Sequence, residues 1–161
     1  VTGEREKAVE YYLKALQGKT GDANDKAHIL MDLGVVFGEM EEYERAVFCF
    51  REALNINRYI LNAYVNITLA YVKMEDYEKA AVYGAIARRA FPDLNGQLNG
   101  LAERCLFDKE YLRAQKISEL VLALAPWNKN ARRNLLESRR RLQEAPESSR
   151  DATDDLPGAK K

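Results

Sequence analysis

The 161-residue sequence is poor in the residues from which catalytic and metal sites are usually built. It has one histidine, His28, and two cysteines, Cys49 and Cys105. A single histidine excludes a multi-histidine metal site, and two distant cysteines form neither a zinc cluster nor the dense disulfide pattern of a small secreted domain. We therefore expect no metal, no cofactor and no catalytic residue, and we expect that the chain is not an enzyme.

The chain also lacks an excess of charge of one sign and a long apolar run. Its 25 basic and 25 acidic side chains balance, so no global field attracts a nucleic acid or an anionic membrane. No run of about 18 apolar residues is present, which excludes a membrane-spanning helix, and the first residues lack the apolar stretch of a secretory signal. We expect a cytoplasmic protein. Because the sequence does not begin with methionine, a periplasmic or membrane-tethered location stays open.

What the sequence does have is an internal period of 34 residues. The segment MEEYERA at 40–46 returns as MEDYEKA at 74–80 and more loosely as DKEYLRA at 108–114. Apolar residues around these segments are spaced three and four apart, which is the period of a helix. Prolines at 92 and 126 separate one unit from the next, because proline ends a helix. Each unit is therefore predicted to be two helices joined by a short charged bend.

This pattern resembles the tetratricopeptide repeat family, whose unit is a 34-residue helical hairpin with large, small and aromatic residues at fixed places. The resemblance implies an all-α fold, a right-handed α-solenoid of helix-turn-helix hairpins. The predicted repeat domain spans residues 1–143, with a half-repeat helix at 4–17, full repeats at 27–60, 61–94 and 95–128, and a capping helix at 129–143. An exposed loop is predicted at 18–25. Residues 144–161, rich in proline, serine and acids, are predicted to be a disordered tail.

The resemblance also implies where a partner binds, because in this family the first helices of successive hairpins line a concave groove. Asn66 and Asn134 stand where the family often places an asparagine that hydrogen-bonds the backbone of a bound peptide. The full set of predicted partner-binding residues is His28, Met31, Asp32, Val35, Asn62, Val65, Asn66, Leu69, Lys73, Asn99, Glu103, Phe107, Asn130, Arg133, Asn134, Arg140 and Arg141.

The predicted partner is a protein or peptide segment, and no nucleic acid. The groove residues change from mildly acidic and apolar to basic along the chain, so a segment with acidic residues at one end would suit them. The arginines at 132–141 have no interleaved aromatics to stack bases, which disfavours a nucleic-acid site. A protein-interaction scaffold is the favoured function. The alternatives are the regulatory or targeting part of a larger enzyme or of an envelope or secretion complex, and a self-assembling structural scaffold.

Two smaller expectations concern packing. Cys105 falls where Phe37 and Tyr71 stand in the earlier repeats, so we predict that its side chain is buried. The glycine pairs at 34 and 38 and at 96 and 100 are predicted to allow close packing between hairpins. A further alternative is that the groove binds the chain's own tail, Asp151 to Leu156, or the N-terminal edge of a neighbouring copy, which gives self-association.

Overall fold

The structure of this protein is a computed structural model, and it describes residues 2–18 and 22–144. These residues form eight α-helices and no strand, which confirms the predicted all-α fold. The helices are α1 (Thr2–Gln17), α2 (Ala23–Glu39), α3 (Tyr43–Ile56), α4 (Leu61–Lys73), α5 (Tyr77–Ala90), α6 (Leu94–Phe107), α7 (Tyr111–Leu124) and α8 (Lys129–Glu144). Within the described ranges, no helix is long and apolar enough to cross a membrane.

The chain divides into two compact units, Val1–Gln97 and Leu98–Lys161, and the boundary falls inside α6. The repeat domain predicted over 1–143 therefore spans two units. In the first unit α1 packs on α2, α2 packs on α3, α3 on α4, and α4 on α5. In the second unit α7 packs on α8.

Small side chains at repeated positions let the helices of a hairpin approach closely. Ala46, Ala53, Ala80 and Ala87 are fully buried. Gly34 makes the tightest approach, since a Cβ atom added there would lie 2.5 Å from Cε1 of Phe50. The backbone of α2 at this point lies directly against an aromatic ring of α3, and the packing excludes even a methyl group.

The predicted role of the other glycines is wrong in part. A Cβ at position 38 or 100 would meet no atom of the described residues within 4 Å, so neither glycine marks a close contact. At Gly96 a Cβ would meet only the carboxylate of Asp93, at 2.9 Å. Close packing is thus found at Gly34 alone, and it joins the two helices of one hairpin rather than two hairpins.

The three charged bends share one backbone conformation. Their second residues, Glu41, Glu75 and Lys109, have φ angles of 62°, 61° and 65°, in the left-handed region that favours glycine. After each of them, the N–H of the following residue donates to the carbonyl five residues back, as in Glu42 N to Phe37 O at 2.9 Å. This is the Schellman arrangement, which satisfies carbonyls left over at the end of a helix.

The predicted loop at 18–25 is too long. α2 begins at Ala23, because Asp22 caps its first turn and its carboxylate accepts a hydrogen bond from the N–H of Asn24. Asp25 adds a favourable negative charge near the helix start. Residues 19–21 lie outside the described part of the chain, and so does the predicted tail beyond Glu144, the last residue of α8.

Candidate functional site

A cavity of about 370 Å³ lies in the first unit, bounded by α2, α3 and α4. From α2 come residues 34, 35, 38 and 39, and from α4 residues 66, 69, 70 and 73. Residues three or four apart share one face of a helix, so each helix presents a single stripe to this cavity. Ala46 and Phe50 of α3, together with Gly34 and Ala70, give it an apolar floor.

Four of the predicted partner-binding residues line this cavity. They are Val35, Asn66, Leu69 and Lys73. Val35 leaves 43% of its surface exposed and so offers apolar contact area to a partner. The sequence had placed these four side chains on a common surface, and the structure brings them together.

Gly38, which lines the cavity, is absent from the predicted partner-binding residues. A side chain at this position would project into open space, because no described atom lies within 4 Å of its ideal Cβ. Val72 and Leu106 stand at the equivalent positions, 34 and 68 residues later. The repeat alignment therefore contained a signal for this open space, because the first repeat has glycine where the later repeats have branched apolar residues.

The rim of the cavity carries both signs of charge. Glu39 lies 3.4 Å from the guanidinium of Arg5 on α1, so part of its charge is already compensated. Lys73 is exposed at the opposite wall and has no ion-pair partner among the described residues. Asn66 is half-buried beside it and offers both a donor and an acceptor. The polar groups thus surround an apolar floor.

The remaining predicted residues of the first unit lie outside the cavity. His28, Asp32 and Asn62 are exposed on α2 and α4. Met31 and Val65 are buried, with 9% and 8% of their surfaces exposed. The prediction that these two side chains contact a partner is wrong for this structure, because helix packing covers them.

Two further corrections concern asparagines of the second unit. Asn99 is 6% exposed, and its Nδ2 donates to Oδ1 of Asn128 at 3.1 Å. Asn128 Oδ1 also accepts the N–H of Ala131, in the first turn of α8. Asn134 is 2% exposed. Neither amide is open to a peptide, so the predicted role of Asn134 as the equivalent of Asn66 is wrong in this structure.

The three predicted arginines of α8, Arg133, Arg140 and Arg141, are held by carboxylates. Arg133 Nη2 donates to Oε1 of Glu103 on α6 at 2.7 Å. Arg140 and Arg141 both donate to Oε1 of Glu137, each at 2.8 Å. Hydrogen bonds from Arg140 and then Arg141 lower the pKa of Glu137 to about 2. The basic character predicted for this end of the groove is therefore partly compensated within the unit.

A second cavity, of about 340 Å³, lies in the second unit. It contains the predicted residues Phe107 and Arg141, and its other walls are Leu106, Lys109, Tyr111 and Glu137. Asn130, also predicted, is exposed on the first turn of α8 and does not line this cavity.

Cys105 is buried, as predicted, and so is Cys49. Burial raises the pKa of the Cys49 thiol to about 11.

A sequence model described as tetratricopeptide repeat matches residues 27–59, from the second turn of α2 to the residues after α3. The chain contains a tetratricopeptide repeat. Its cavity-lining residues Gly34, Val35, Gly38 and Glu39 belong to this repeat. No curated protein sequence matches the chain.

Solved structures with a similar fold have low sequence identity. A segment of MamA from Desulfovibrio magneticus RS-1 is 14% identical with a TM-score of 0.56, over 96% of this chain and 90% of that one. A crystal structure of MamA is also 14% identical, with a TM-score of 0.54, over 89% and 91% of the two chains. The Arabidopsis OM64 TPR domain is 17% identical with a TM-score of 0.49, over 74% and 98%. At these identities the likeness concerns the fold.

Proposed function

We propose that this chain is a protein-interaction module that binds a peptide segment of another protein in the cavity between α2 and α4. The observation that carries the proposal is the cavity itself, which is preformed, about 370 Å³ in volume, apolar at its floor and polar at its rim. Ligand sites in proteins share this construction, and their volumes are about 300–1,000 Å³.

The proposed mode of binding follows from the lining. A large apolar side chain of the partner enters over Gly38 and contacts Val35 and Leu69. Burying such a side chain contributes about 1.5–3 kcal/mol. Asn66 then hydrogen-bonds the backbone on either side of this anchor, because an amide both donates and accepts. Lys73 attracts a carboxylate of the bound segment.

We also propose that the partner carries acidic residues. Within the second unit taken by itself, a partner carboxylate would meet Arg133, Arg140 and Arg141, whose guanidinium groups are exposed but already paired with glutamates. A partner carboxylate there shares or displaces an existing ion pair. We therefore assign specificity to these arginines and most of the affinity to the apolar anchor.

The proposal includes no catalytic step by this chain. The only histidine of the sequence, His28, is exposed on α2, outside both cavities. In α8, hydrogen bonds from Arg140 and Arg141 lower the pKa of Glu137 to about 2, which keeps this carboxylate ionised and poorly suited to proton transfer near neutral pH.

The test is selection of ligands from a library of random peptides, followed by affinity measurements on two variants. Gly38→Leu places an isobutyl group in the cavity, and its Cβ meets no side chain or neighbouring helix within 4 Å. Selected peptides should therefore bind at least tenfold more weakly, a loss of about 1.4 kcal/mol. Ala85→Leu adds similar bulk to an exposed position of α5 and should leave the affinity unchanged. Peptides that bind the Gly38→Leu variant as tightly as the native chain would place the binding site elsewhere.

A further inference from the structure

The second cavity contains an aromatic side chain in an unfavourable setting. Phe107 is 87% exposed, more than any other large apolar side chain of the described residues. At the equivalent positions of the other repeats stand Glu39, Lys73 and Arg141, all charged. The phenylalanine thus gives this cavity an exposed apolar group where the other repeats have a charged one.

The cations of this cavity are open to a further partner. Lys109 has no ion-pair partner among residues 2–18 and 22–144. Its backbone is fixed by the helix-ending turn, in which the N–H of Glu110 donates to Cys105 O at 2.8 Å. Arg141 shares the single carboxylate of Glu137 with Arg140. The cavity thus combines an exposed aromatic ring with an excess of positive charge.

We propose that residues 151–156 of the same chain, Asp-Ala-Thr-Asp-Asp-Leu, dock in this cavity. These residues lie outside the described part of the chain. Leu156 supplies the apolar group that covers Phe107, and Asp154 and Asp155 supply the carboxylates for Lys109 and Arg141. The segment carries three negative charges and no positive one, which complements the cavity.

The length of chain between α8 and this segment permits the contact. α8 ends at Glu144, and Arg141 lies three residues earlier, about 4.5 Å along the helix axis. Six residues, 145–150, join Glu144 to Asp151, and an extended chain of that length spans about 20 Å. The segment can therefore reach the cavity with every helix left in place.

Docking within one chain has a regulatory consequence. A tether of six residues gives an effective concentration on the order of 1 mM, so even a weak contact is populated. A partner with its own acidic and apolar segment would have to displace residues 151–156 from this cavity. The cavity belongs to the second unit, whereas the proposed peptide site between α2 and α4 belongs to the first.

The test uses two full-length variants with the same change of net charge. The docking variant carries Asp154→Lys, Asp155→Lys and Leu156→Ser. The control carries Glu147→Lys, Ser148→Lys and Ser149→Lys, in the residues that join α8 to the segment. Each variant gains four positive charges, two for every acid replaced and one for every serine.

Amide NMR spectra of both variants are compared with that of the native chain, at two concentrations tenfold apart. The amides of Phe107, Lys109 and Tyr111 should shift in the docking variant and stay in place in the control, equally at both concentrations. Absence of these shifts would overturn the proposal. Shifts present only at the higher concentration would also overturn it, because the occupant would then be the segment of a second copy.

An added peptide of residues 150–157 gives an independent measurement. In the native chain the tethered segment competes with the added peptide for the cavity, at an effective concentration on the order of 1 mM. If the peptide binds the open cavity with a Kd of about 100 µM, it should bind the docking variant about tenfold more tightly than the native chain. The control variant should bind it like the native chain. Equal affinity for all three chains, or no binding to any of them, would contradict docking within the chain.

Discussion

The contact between Gly34 and Phe50 allows the packing of α2 on α3 to be tested with a pair of glycine substitutions. In Gly34→Ala the new methyl group would lie 2.5 Å and 2.8 Å from two carbons of the Phe50 ring, well inside van der Waals contact. Phe50 is 3% exposed and cannot move aside freely. Overpacking of a buried site costs about 1–3 kcal/mol, while replacing a helical glycine by alanine returns about 1 kcal/mol. We expect a net loss of about 1 kcal/mol.

Gly38→Ala is the matched control on the same helix. Its new methyl group meets no described atom within 4 Å, so only the helix preference acts. Gly38 is the penultimate residue of α2, where helices fray, and we expect a gain of about 0.5 kcal/mol. The two variants should therefore differ by about 1.5 kcal/mol, with opposite signs relative to the native chain.

Urea denaturation followed by circular dichroism measures this difference as a shift of the midpoint at constant slope. A double variant sharpens the test, because Phe50→Leu removes the ring that the new methyl group meets. Gly34→Ala should cost less in the Phe50→Leu background than in the native one. If Gly34→Ala and Gly38→Ala proved equally stable, α2 would not pack against Phe50 as described.

Four further predictions concern single side chains. Glu41→Gly should stabilise the chain by about 0.5–1 kcal/mol in urea denaturation, because φ is 62° at this residue. The free energy of unfolding should fall as pH rises from 9 to 11, because burial raises the pKa of Cys49 in the folded chain from 9.0 to about 11. The thiol of the unfolded chain therefore ionises first, which stabilises the unfolded state. The Cys49→Ala variant should lose this part of the pH dependence. The pKa of Glu137 is lowered to about 2, so the NMR signal of its carboxyl carbon should titrate near pH 2. The stability that this carboxylate contributes should be lost only as pH falls from 4.5 towards 2. Asn134→Leu should stabilise the chain by about 1 kcal/mol, since its buried Nδ2 has no partner among the described residues. Asn66→Leu, 68 residues earlier at the half-buried cavity wall, should change stability by less than about 0.5 kcal/mol.

Much of the helix pattern was predictable because the repeat is local. α3, α5 and α7 begin at Tyr43, Tyr77 and Tyr111, which are the residues that first revealed the 34-residue period. Apolar spacing also predicted where α4 begins, and Pro126 helped to predict where α8 begins, since helix limits depend mainly on nearby residues. The extra turn at the start of α2 was missed because the cap at Asp22 has no counterpart in the later repeats.

Burial depth was harder to predict than helix position. Asn66 and Asn134 occupy the same repeat position, yet one lines a cavity and the other is buried. The ion pair of Glu103 with Arg133 joins two helices 30 residues apart, and nothing local in the sequence pairs these side chains. Such features depend on how neighbouring helices pack, and a repeat pattern describes each helix with respect to its own unit only.

The left-handed residues at the bends were also not predictable from residue type. This conformation usually calls for glycine or asparagine, but the chain has Glu41, Glu75 and Lys109 there. The hydrogen bonds of the helix-ending turn hold these residues in place despite the cost. The equal spacing of the three residues is the only trace of this shared turn in the sequence.

Binding of a peptide segment in the cavity between α2 and α4 can be tested by an amide NMR titration of the native chain with a peptide selected from a random library. We expect saturable shifts at Val35, Gly38, Asn66, Leu69 and Lys73, and their loss in the Gly38→Leu variant. A selected peptide that shifts other residues and leaves these five in place would contradict it.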